Sequence, residues 1–150
     1  MKVLTQLFLG LVLFLSFNFV AKAQEITEND KKQQEERLKE DPKDFAANFV
    51  VGAYYYNMAL APQEETSKMK VVGYMTEGKP YDKTKASYLQ KALPYFENAY
   101  AIQKDNSNVK DILKQIYQQT GQLAMSKVST AEIDAKLQEK LDKIEFKTIE

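Results

Sequence analysis

The sequence predicts an all-α fold, and three observations predict it. Apolar residues recur at three- and four-residue spacing in successive segments. Those segments are punctuated by helix-stop and helix-cap signals, at Asp41-Pro42, Lys104 to Ser107 and Ser129. Alternation of period two does not compete, because runs such as Val50-Val51 and Val71-Val72 are too short to argue strands.

The chain of 150 residues suits one domain. Its N-terminus reads as an address. Lys2 supplies a positive start, Val3 to Val20 is almost uncharged and apolar, and Ala21-Lys22-Ala23 fits a small-x-small cleavage site. Residues 1–23 are therefore expected to be a signal peptide, cut between Ala23 and Gln24, and the remainder to be exported, periplasmic or secreted. The alternative is an uncleaved anchor helix. The polar stretch that follows Ala23 at once favours cleavage.

Residues 24–40 are rich in Gln, Glu and Lys, with Ile26 and Leu38 as the large apolar residues. Propensity favours a leading helix from about Glu28, loosely held because it has little to bury. Asp41-Pro42 stops it, since the residue before proline avoids helical geometry. Residues 41–150 then form the helical domain. Asp44 can cap a helix to about Glu65, with Phe45, Phe49, Gly52 and Tyr56 as its apolar stripe and Ala46, Val50, Ala53 and Leu60 broadening it. Pro62 is placed to end or kink it.

Lys68 to Asp82 reads as a connector with a turn at Glu77-Gly78-Lys79-Pro80. Its Met69, Val71, Val72, Tyr74 and Met75 can fold back on the helices. A second strong helix spans about Lys83 to Lys104, with Tyr88, Ala92, Tyr95, Phe96, Ala99 and Ile102 on one stripe. Pro94 either kinks it or sits in a first turn starting near Lys91; a kink is favoured. A third runs from about Asn108 to Thr120, capped by Asn106 or Ser107, with Ile112, Leu113, Ile116 and Tyr117 inward and Gly121 as C-terminal cap. Ser129 to Glu132 is a capping box for the last helix, on which Ile133, Leu137, Leu141 and Ile144 recur. Residues Gln122 to Val128 extend a helix or form a loop.

Composition excludes several chemistries. The formal net charge is zero, and removal of residues 1–23 takes two lysines and no acid, so no basic excess points to nucleic acid. The absence of Cys and His rules out disulfides, thiolate metal sites, a Cys nucleophile and an imidazole base. No phosphate-binding glycine loop or serine-nucleophile motif occurs. No cofactor or metal is expected, and the chain is expected not to be an enzyme. The pairs Glu35-Glu36 and Glu64-Glu65 read as solvated faces. Lys127, Lys136, Lys140 and Lys143 read as a helix surface laced to Asp134, Glu139 and Asp142.

Two segments resemble the tetratricopeptide-repeat family. After Asp41-Pro42, the spacing of Val51, Gly52 and Tyr55 is similar to the apolar-Gly-x-x-Tyr pattern of a repeat's first helix. Ala92, Phe96 and Ala99 match the Ala, aromatic, Ala spacing of a second helix. Leu113, Tyr117 and Gly121 resemble the start of another repeat. The resemblance spans about Asp41 to Gly121 and looks like the C-terminal end of longer exported bacterial members. It departs from the pattern in a long interval between Gly52 and Ala92, and only about one and a half repeats are present, below the roughly three usual for stability. It implies antiparallel helical hairpins in a short α-solenoid with one extended hairpin. It also implies a non-enzymatic module that binds a peptide or helix of a cell-envelope protein in a groove, with Asn48, Tyr54, Tyr88 and Asn98 as groove-facing residues.

Tyr54, Tyr55 and Tyr56 point about 100° apart on a helix and so cannot share one environment. Tyr55 falls at the packing position and Tyr54 at the best partner-facing one; the plainer reading is that all three pack at the core or its edge. Met58, Met69 and Met75 can line an adaptable groove, though methionine more often fills gaps. The competing reading of the whole chain is a small structural subunit that completes its core as a homo-oligomer through the extended hairpin.

Overall fold

The computed structural model describes residues 26–70, 73, 78–123 and 129–149, which form five helices and no strand. The expected signal segment, Val71, Val72, Tyr74, Met75 and most of Gln122 to Val128 lie outside them. Helix α1 spans Glu28–Glu40, α2 Phe45–Ser67, α3 Lys79–Ile102, α4 Ser107–Gln119 and α5 Thr130–Asp142.

Helix ends follow local chemistry closely. The Asp44 carboxylate accepts from the Ala47 N–H at 2.9 Å and pairs with Arg37, tying the start of α2 to the end of α1. Asn106 accepts from the Val109 N–H at 3.1 Å and Ser129 from the Glu132 N–H at 3.2 Å. The Glu132 carboxylate turns to Lys136 at 2.9 Å, so Ser129 supplies its half of the expected box. At the end of α4, Gly121 takes φ +74°. The Gln122 N–H then reaches Tyr117 O at 2.8 Å and the Gly121 N–H reaches Gln118 O at 3.1 Å, a Schellman closure that satisfies two orphan carbonyls. Gly121 is exposed, and nothing lies within 4 Å of where its Cβ would stand. It therefore ends a helix and does not seat one helix against another.

Two boundaries differ from expectation. Helix α2 runs past Pro62 to Ser67. Helix α3 starts at Lys79, because Pro80 occupies the first turn, where its missing N–H costs nothing. Helix α1 is better held than its composition suggests. Thr27 and Asp30 form a reciprocal capping box, with bonds of 2.9 and 3.2 Å. Its half-buried residues Lys31, Gln34, Glu35 and Leu38 share one face by i, i+3, i+4, i+7 spacing, and the helix packs on α2.

The core lies chiefly between α2 and α3 and extends to α4 and α5. Phe96 is fully buried at its centre, among Ala92, Ala99, Leu89 and Ala59. Val51 and Ala47 are fully buried too, whereas Ala46 and Leu60 of the expected α2 stripe are exposed. Leu89, Tyr100 and Val109 join the core beyond the expected set, while Ile112 stays half-buried. The α5 stripe of Ile133, Leu137 and Leu141 is buried. Ile144 is buried too, but beyond the helix end. On the surface, Lys143 pairs with Glu139 at 2.7 Å and Lys114 with Asp134 at 2.6 Å, and the Lys140 ammonium sits 4.9 Å over the Tyr117 ring. Such exposed pairs contribute little to stability.

The Tyr117 hydroxyl donates to Glu97 Oε1 at 2.8 Å. Burial, with the adjacent Glu97 carboxylate, pushes the Tyr117 pKa well above its ordinary value of 10.0. The folded chain therefore holds this proton more tightly than the unfolded one. The stabilising contribution is whole below the ordinary tyrosine value and is lost as pH climbs toward the raised folded value. Denaturant titrations at increasing pH above 10.0 should show a steeper loss of stability in the wild type than in Tyr117→Phe. Parallel profiles would show that Tyr117 does not carry the alkaline transition.

Candidate functional site

A cleft of about 540 Å³ opens beside α1, where α2 and α3 present two asparagines to the C-terminal segment. Its lining includes Leu38, Asn48, Tyr95, Asn98, Phe146 and Lys147. Both asparagines are almost wholly buried, at 1% and 3% exposure, so their amides must be satisfied by protein groups or by an occupant.

Asn98 is satisfied. Its Nδ2 donates to Lys147 O at 2.7 Å, and the Lys147 N–H donates to its Oδ1 at 2.9 Å. The side-chain amide thus pairs with both main-chain groups of one residue, as a neighbouring strand residue would. Asn48 is half satisfied. Its Nδ2 donates to Pro42 O at 3.0 Å and Asp44 O at 2.9 Å, stapling the α1–α2 turn. Those two carbonyls fix which end of the amide is nitrogen. The Asn48 Oδ1 on the other side is buried and has no hydrogen-bond partner among the described residues.

An aromatic and cationic surface adjoins the cleft through Tyr95. The Tyr95 ring stacks on Tyr55 with centroids 6.1 Å apart, and Tyr55 meets Tyr54 edge-on at 5.4 Å. The Lys31 ammonium lies 5.6 Å from the Tyr54 centroid and 5.5 Å from that of Tyr55, while Lys91 lies 5.5 Å from that of Tyr88. Burial lowers the Lys31 pKa, but the hydrogen bond to Glu35 and the nearby Tyr55 and Glu35 charges outweigh it, leaving it above its ordinary value. Burial also raises Tyr95, with Glu35 adding to it. The rings and ammonium groups thus form one continuous aromatic and cationic surface beside the cleft.

The structure thus places Asn48 and Asn98 in one cleft and Tyr54 and Tyr88 on the adjoining surface, all four half-buried or buried. Tyr56 turns away, meeting Phe96 edge-on at 6.3 Å and donating to Gln115 at 2.7 Å. Met58 and Met69 are half-buried and line no part of the cleft. Among the described residues, no group of three or more His, Cys, Asp or Glu side chains is placed to hold a metal ion, and no helix is long and apolar enough to cross a membrane. Tyr95, placed on the helix stripe, was not expected at the site, and neither were Lys31 and residues 146–149. The signal for Tyr95 was its place beside Phe96 on the α3 stripe; nothing local marked the other two.

Comparison with protein-family models, with characterised proteins and with solved structures finds no match to this chain.

Proposed function

We propose that this chain is an exported, non-enzymatic interaction module of the bacterial cell envelope, a short tetratricopeptide-like helical array that holds a peptide or helix of a partner protein. The observation that carries this reading is the pair of buried asparagines, Asn48 and Asn98, opening into one cleft beside half-buried tyrosines. Amide side chains read peptide main chain without demanding a particular sequence, and tyrosines give contact area at low entropic cost. The approach of Gly52 to Phe96 supports the repeat-like pairing of α2 with α3. The lack of any activated nucleophile or imidazole supports binding over catalysis.

Site-specific photocrosslinking in cells tests it. A crosslinking amino acid at Tyr54, Tyr88 or Tyr95 should trap the same envelope protein, and one at Lys136 on the outer face of α5 should not. Equal trapping from Lys136, or none from the three tyrosine positions, sinks the reading. The chain recovered from the envelope should begin at Gln24; recovery from the cytoplasm with Met1 intact removes the export half of it.

A further inference from the structure

We propose that residues 145–149 are a displaceable strap along one side of the cleft, and that the Asn98 amide they engage takes an extended peptide from another protein in the same way. This rests on the binding-module reading and names the ligand: a peptide main chain in extended form, with a large apolar side chain just before the residue that Asn98 reads.

The strap is its own model of the ligand. The chain leaves helical geometry at Lys143, buries Ile144 and then runs along the cleft without helix or turn. Lys147 is held only through its main chain in the bonds to Asn98, and its side chain is exposed. Phe146, the residue before it, is half-buried and lies under the Lys43 ammonium at 5.5 Å. The grip is thus indifferent to the residue at 147, provided that it has an N–H, and prefers an aromatic ring one position earlier.

Two features argue that the cleft is built for more than the strap. Asn48 lines the same cleft, and its Oδ1 is buried with no partner among the described residues. A buried acceptor left dry loses its hydration with nothing in return, so the site is suited to completion by a donor. A peptide N–H is the donor that the Asn98 geometry already brings in. The strap also adds no helix and, past Ile144, no fully buried side chain, so its release leaves the core intact. A ligand that competes with an internal occupant binds more weakly by the fraction of time the site is free.

The test is fluorescence anisotropy with an end-blocked, labelled peptide spanning 144–149. Lys147→Pro removes the N–H that Asn98 accepts and leaves the α1, α2 and α3 side chains that line the cleft unchanged. The exported chain carrying it should bind the peptide at least about tenfold more tightly than wild type. Adding Asn98→Ala should abolish that gain, and a peptide with proline at the position of Lys147 should not bind. Phe146→Ala, which loosens the strap from a different contact, should give a gain of the same sign and carries the test if Lys147→Pro loses helical circular dichroism. Equal affinity of wild type and both strap variants, whether weak or tight, overturns the proposal. If photocrosslinking from the tyrosines still traps a partner in that case, the binding-module reading stands without the strap; if neither peptide nor partner is bound, both fall.

Discussion

Phe96→Ala should remove about 3–5 kcal/mol of folding stability, the largest loss expected from any single truncation in this chain. Phe96 is fully buried, and three rings or ring-sized gaps depend on it. Phe49 meets it edge-on at 5.7 Å, Tyr56 edge-on at 6.3 Å, and Gly52 leaves the space its ring fills. Truncation forfeits the transfer energy of the ring, the two edge-to-face contacts and the packing around the void, because helices pinned at α1 and α4 cannot close in fully. Domains of this size hold only about 5–15 kcal/mol in all, so a fall in Tm of roughly 10–20 °C follows. Urea denaturation followed by circular dichroism measures it. A loss below about 1 kcal/mol would mean that α2 and α3 do not meet through this ring.

Local signals carried the helices into view and non-local ones hid the site. Asp44, Asn106 and Ser129 are legible because a cap needs only its own residue and the amides two or three positions on. The α5 stripe is legible because one apolar face repeats without interruption. By contrast, α2 is apolar nearly all round, so periodicity could not separate buried Ala47 and Ala59 from exposed Ala46 and Leu60. Helix α1 was expected, but its docking hid for the opposite reason. Its docking face is mostly polar, with the Lys31 ammonium against two tyrosine rings, and a hydrophobicity pattern does not register this.

The cleft shows the same division. Asn48 and Asn98 were singled out by their register with a repeat pattern, yet what each does is set elsewhere. Asn98 pairs with a residue 49 positions away, on a segment with no periodicity of its own. Ile144 continues the spacing of the α5 stripe, so the sequence extends that helix through it. The chain instead turns at Lys143, buries Ile144 outside the helix and runs on without helix. A buried asparagine announces that main chain must come to it, but not from where.

Gly52→Val should destabilise by about 1–3 kcal/mol, and its companion double mutant should not add. A Cβ built on Gly52 stands 3.2 Å from two atoms of the Phe96 ring, tighter than ordinary contact. The ring is boxed in by Phe49 and Tyr56 and cannot swing aside without losing them. Alanine brings the same Cβ but gains up to about 1 kcal/mol of helix propensity over glycine, so Gly52→Ala should sit near neutral. Valine adds two methyl groups to the clash and gains less from propensity, so strain wins. In Gly52→Val/Phe96→Ala the valine methyls enter the space that the ring vacated. The pair should therefore lose less than the sum of its parts, by about 0.5–3 kcal/mol in a double-mutant cycle. Strict additivity would separate Gly52 from Phe96, and with them the seam on which the pairing of α2 and α3 rests.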